Sequence, residues 1–128
     1  MLPIIEKVRA ARRLEVQHGG ATYRLEVPTE TELRRLYRPH TTWEGAGAKA
    51  TPKIDALASQ RDIVLHALKG WEGVSERALG GGDEPLPFTD EAAQELIDDD
   101  LRLQDALAFA IWDAVNARRE RLEEDEKN

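Results

Sequence analysis

Residues 51–70 read TPKIDALASQRDIVLHALKG, and the reading of this stretch decides the fold. Thr51 can accept a hydrogen bond from a free N–H of a first helical turn, and Pro52 has no N–H to lose there, so the pair predicts a helix start. At 100° per residue Ile54, Leu57, Ala58, Val64, Leu65 and Leu68 share one face, and Gly70 supplies a C-terminal stop. The expectation is an amphipathic helix at the heart of a helical core. Arg61 falls in the middle of the apolar stripe. Either its aliphatic stem packs while the guanidinium reaches the edge, or the guanidinium is buried beside a carboxylate.

Toward the N-terminus the pattern changes. A short apolar start (Leu2, Ile4, Ile5) predicts a helical turn or two, after which Leu14 and Val16 alternate with polar residues. His18-Gly19-Gly20 interrupts, and alternation resumes at Ala21, Tyr23, Leu25 and Val27 before stopping at Pro28. Two alternating runs around a glycine pair predict a β-hairpin, because glycine accepts the positive φ that a tight hairpin turn needs. Thr29 followed by Glu32 is a capping box, with Leu33, Leu36 and Tyr37 at helical spacing and Pro39 as the end. Residues 39–50 show no regular pattern and read as a loop.

Toward the C-terminus, residues 70–88 are rich in glycine and proline and predict an ordered loop with a Gly80-Gly81-Gly82 tip. Thr89 caps a helix whose first turn carries Asp90 and Glu91, matching the positive end of its dipole. Asp98-Asp99-Asp100 interrupts and recaps, and a last helix runs from about Leu101 to Glu123, striped by Leu107, Ile111, Val115 and Leu122. The expected fold is therefore mainly α with a small N-terminal β-hairpin (α+β), a compact helical bundle of about four to five helices. One domain is expected over residues 1–128: hairpin, short helix and loop in 1–50, helical core in 51–123, and a frayed acidic tail in 124–128.

Composition excludes more than it identifies. The chain of 128 residues has 18 Lys+Arg against 25 Asp+Glu and no cysteine, which removes disulfides, thiolate metal sites and cysteine nucleophiles and fits a reducing cytoplasm. No apolar run approaches the ~18 residues of a membrane span, and Met1 to Arg13 has no signal-peptide core, so no membrane association is expected. Residues 1–60 carry 10 basic and 7 acidic side chains, whereas 61–128 carry 8 and 18. The acidic second half repels phosphate backbones, and nucleic acid is not an expected partner.

Catalytic chemistry finds little footing. Glu91, Glu95 and Asp98 or Asp99 share a helix face, but no histidine joins them at ligand spacing, so they read as dipole complements rather than a metal site. Asp62 and His66, four apart, predict a surface ion pair. His18 and His40 have no orienting neighbour in sequence, Ser59 and Ser75 lack a nucleophile-elbow context, and no phosphate-binding glycine pattern occurs. Neither a catalytic residue nor a cofactor or metal is expected.

A resemblance gives a sharper expectation. Arg61 to Val74 (RDIVLHALKGWEGV), a Gly/acidic spacer, and Leu86 to Glu91 (LPFTDE) resemble the tail assembly chaperones of long-tailed bacteriophages, where a helix ends in a Lys-Gly-Trp-like turn and a Leu-Pro-Phe-Ser/Thr segment opens the next helix. The likeness covers about residues 59–128, and its motif positions are Arg61, Gly70, Trp71, Gly73, Pro87 and Phe88, with Trp71 and Phe88 read as structural anchors that pack over the helices. The resemblance implies a protein that binds the helical tape-measure protein, keeps it soluble and helps the tail-tube protein polymerise. It further implies action in the host cytoplasm, absence from the finished virion, and a longer form made by ribosomal frameshifting. Glu126-Lys127-Asn128 can be encoded by GAA-AAA-AAC, which contains a slippery run. The alternatives are a small acidic regulatory or antitoxin-like protein that binds a basic partner, and a structural head-tail connector component.

Candidate partner-binding residues lie in the last helix. Phe109 falls among Asp105, Asp113 and Asn116 on the polar side, with Trp112 at the border. One reading has the run Ala106 to Trp112 covered on both sides; the other makes Phe109, with Trp112, an exposed anchor for a partner. Glu123, Glu124, Asp125 and Glu126 would add steering that weakens with salt.

Overall fold

The computed structural model describes residues 3–127. Leu2, in the expected apolar start, and Asn128, the last residue of the expected tail, lie outside them. Helix α1 (Ile4–Ala10) leads into strands β1 (Arg13–His18) and β2 (Ala21–Glu26), whose turn residues Gly19 and Gly20 have φ of 56° and 81°. That pair of positive angles is what a two-residue turn between right-twisted strands demands. Helix α2 (Glu30–Tyr37) opens with the capping box, the Glu32 N–H donating to the Thr29 hydroxyl at 3.2 Å and the Thr29 N–H to the Glu32 carboxylate at 3.0 Å.

The next segment corrects the expectation for residues 39–58. Thr41–Glu44 (β3) and Thr51–Ile54 (β4) form a two-stranded antiparallel ribbon, with Trp43 opposite Pro52 and Thr41 opposite Ile54. Each strand of such a ribbon keeps one free edge, where a proline's missing N–H goes unused, so Thr51-Pro52 suits a strand as well as a helix start. The cap is Asp55 instead: its carboxylate accepts from the Ala58 N–H at 3.2 Å and opens α3 (Ala56–Ala67). Ile54 and Leu57, expected in the buried stripe, are exposed, and the buried side of α3 is Ser59, Ile63, Val64 and Ala67.

A second correction concerns Gly70. The helix ends at Ala67 and the chain passes directly into β5 (Leu68–Glu72), which pairs antiparallel with β2 to give a sheet of order β1-β2-β5. The expected compact helical bundle with one hairpin is thus overturned: among the described residues five α-helices share the fold with a three-stranded sheet and a separate ribbon, an α+β architecture. Ala21, Tyr23 and Leu25 form the buried face of β2 and Val27, just past its end, continues it, as the alternation predicted; with Leu68 and Trp71 they join the helices in one core.

Helix α4 (Asp90–Asp99) is capped by Thr89, whose hydroxyl accepts from the Ala92 N–H at 3.0 Å. Asp100 then recaps, accepting from the Leu103 N–H at 3.0 Å, and α5 runs through Leu101–Lys127. Residues 124–127 are therefore helical and exposed rather than a frayed tail. The buried side of α5 is Leu103, Gln104, Leu107, Ala108, Ile111 and Val115, while Leu122 is 52% exposed. Buried Gln104 is satisfied, its amide donating to the Ile97 carbonyl at 3.2 Å and its oxygen accepting from Gln60 at 3.1 Å.

Candidate partner-binding surface

The residues that carry the sequence motif build an internal lock. Trp71 on β5 is buried, its indole N–H donates to the Leu86 carbonyl at 2.8 Å, and its ring meets Phe88 edge-on at 4.8 Å and Tyr23 at 6.4 Å between centroids. The 73–88 loop is so fastened across the sheet, and Phe88 is half-buried while Pro87 is exposed. Gly70 lets the Arg24 side chain cross: a Cβ there would lie 2.9 Å from the guanidinium. Gly73 turns with φ +81°, and a Cβ would meet the Gly20 carbonyl oxygen at 3.2 Å.

Arg61 reaches the edge of α3 and grips Asp98 of α4 with two bonds, Nε to Oδ1 at 2.5 Å and a terminal nitrogen to Oδ2 at 3.0 Å. The pair is an edge clamp between two helices, since both side chains keep contact with solvent. The hydrogen bond from Arg61 holds the Asp98 carboxyl below its ordinary range.

The expected Asp62–His66 pair does not form, because each residue is drawn to another element. Asp62 bonds His40 at 2.5 Å, and His66 bonds Glu32 on α2. Neither partner was visible from local spacing. Partial burial alone would raise the Glu32 carboxyl, but the Thr29 backbone N–H, the His66 ring and the Thr29 hydroxyl outweigh it and hold it at about 2. Above the ordinary glutamate range of about 4.3 Glu32 is ionised whether folded or not, so its contribution is fully present; as pH falls toward 2 the unfolded chain takes up the proton first and the contribution is lost. Stability is therefore expected to fall between about pH 5 and pH 2 in urea melts. In Glu32→Gln, which keeps a capping-box side chain, that fall should be shallower. An unchanged pH slope in the variant would contradict the assignment.

On α5 the two aromatic candidates separate. Trp112 stacks on Tyr37 of α2 with centroids 6.0 Å apart, and the Arg119 guanidinium lies 5.9 Å from its ring centroid. Arg119 in turn holds Glu30 with bonds of 2.7 and 2.9 Å, which lower the Glu30 carboxyl. Trp112 is thereby a joint between α2 and α5. Phe109, on the side opposite Leu107 and Ile111, is 75% exposed, flanked one turn away on either side by exposed Asp105 and Asp113. The covered reading of Ala106 to Trp112 is overturned at this position. Glu123, Glu124, Asp125 and Glu126 lie along the exposed end of the helix.

Among the described residues no group of three or more His, Asp or Glu is placed to hold a metal ion, and no helix is long and apolar enough to cross a membrane. The sequence profile of the YdaY prophage protein family matches residues 26–128, from the last residue of β2 to the final residue of the sequence. No curated protein and no solved structure matches the chain.

Proposed function

The chain belongs to the YdaY prophage protein family and is phage-derived, and on that footing we propose that it is a tail assembly chaperone. In this reading it binds the tape-measure protein in the host cytoplasm, keeps it soluble while tail-tube subunits polymerise around it, and leaves before the virion is complete. The role is binding, without catalysis or a cofactor. Two features support it: the sequence likeness over residues 59–128, and, as the observation that carries it, Phe109 standing 75% exposed on α5 between two aspartates. A large aromatic held on a helix suits the apolar stripe of another helix, where central aromatics carry a disproportionate share of binding energy.

Phe109→Ala is the test. With no packing to lose, the variant should stay within about 0.5 kcal/mol of the parent in stability. Co-expressed with a phage tape-measure protein, the parent should raise that protein's soluble fraction and Phe109→Ala should raise it much less. A tape measure that stays insoluble with excess parent protein would sink the reading.

A further inference from the structure

A second surface of the molecule is unpartnered, away from Phe109. No residue of α1 is buried, and Ile4, Ile5 and Val8 are exposed, Ile4 to 75%. Beside α1 lies a groove of about 340 Å³ against α5, with apolar Val8, Ala11, Ala114 and Ala117 in its lining together with Arg118, Arg121 and Arg12, the last of these paired with Glu26. Val115 is the last buried residue of α5, so the remaining 12 helical residues, roughly 18 Å, extend past the core. Along that extension run Arg118, Arg119, Glu120 and Arg121, then Glu123, Glu124, Asp125, Glu126 and Lys127, with Glu120 and Lys127 turned away from the side that carries Arg118, Arg121 and Asp125. Arg119 is turned to Glu30, whereas Asp125, one turn beyond Arg121 and two beyond Arg118, shares the groove side of the helix.

We propose that this surface is a twofold interface with a second copy of the chain, the two α5 ends lying antiparallel along the grooves. A twofold contact must be complementary to itself. Cations followed by anions on one helix face meet that requirement only when the helices run in opposite directions: each copy then sets Asp125 toward the other's Arg118 and Arg121, whereas parallel ends would set like against like. The apolar part of the groove and the exposed α1 residues are covered in the same step, which gives a reason for an apolar α1 face that none of the described residues buries. The inference does not depend on what Phe109 binds.

Sedimentation equilibrium of the full chain over micromolar concentrations tests it. The parent should approach twice the chain mass of 14.4 kDa, and added salt should weaken the association. Arg118→Glu with Arg121→Glu makes the groove side of α5 wholly acidic, and Asp125→Arg makes it wholly basic. Each variant alone should dissociate at least about tenfold more readily, and an equimolar mixture should regain the dimer. Circular dichroism establishes that the variants remain folded, and Val8→Asp, at an exposed site on the other wall, should weaken the dimer independently. A parent that is monomeric throughout, or reversed variants that dimerise as well as the parent, would overturn the proposal.

Discussion

Trp71→Ala is expected to cost about 3–5 kcal/mol of folding stability, the range for removing a large buried aromatic. Two losses coincide at this position. The ring is 6% exposed and sits between Tyr23 and Phe88, so the variant leaves a cavity bounded by two aromatics. Its N–H is the donor to the Leu86 carbonyl, so the clasp that holds the 73–88 loop on the sheet opens. Urea denaturation should show a lower midpoint, and tryptic cleavage at Arg77 should accelerate in the native protein as the loop loosens. A midpoint within the error of the parent's would mean that the loop is anchored by other contacts.

The other large effect distinguishes two leucines that share one stripe on a helical wheel. Leu107→Ala should destabilise by about 2–5 kcal/mol, because its side chain is wholly buried among α5's core contacts. Leu122→Ala should change the stability of the monomer by no more than about 0.5 kcal/mol. The contrast is read from paired urea melts below the concentration at which the chain associates. Equal losses at the two sites would require the end of α5 to pack on the body of the fold.

Leu122 also shows where sequence reasoning stopped. Its direction around the helix was legible, since it follows Leu107, Ile111 and Val115 at helical spacing, but periodicity carries no information about where along the axis the core ends. Features set by neighbours three or fewer residues apart were readable: the glycine turn at 19 and 20, the Thr29–Glu32 box and the Thr89 cap. β5 was not, because Leu68 to Glu72 is short and its pairing partner lies in the hairpin. The ribbon was missed for a different reason: Thr51-Pro52 satisfies both a helix start and an edge strand, and the competing cap, Asp55, stands only four residues on. At the surface, the wheel isolated Phe109 from the buried stripe, whereas the position of Trp112 depended on Tyr37, Arg119 and Glu30, brought together only by packing α2 on α5.

The direct passage from α3 into β5 has a consequence for the order in which the molecule assembles. The β1–β2 hairpin closes over two residues and can form within microseconds, but Tyr23 meets Trp71 only after the 47 residues between them have been gathered in. Because no linker separates Ala67 from Leu68, the register of β5 is tied to the orientation of α3, so helix docking and sheet completion are expected to form one cooperative event. A chain emerging from the ribosome would hold a lone hairpin, marginal by itself, until residue 72 is free. The closure of that long loop is thus the expected slow step of folding, and substitutions at Gly70 or Trp71 should slow refolding as well as weaken the native state, an outcome read from stopped-flow refolding rates.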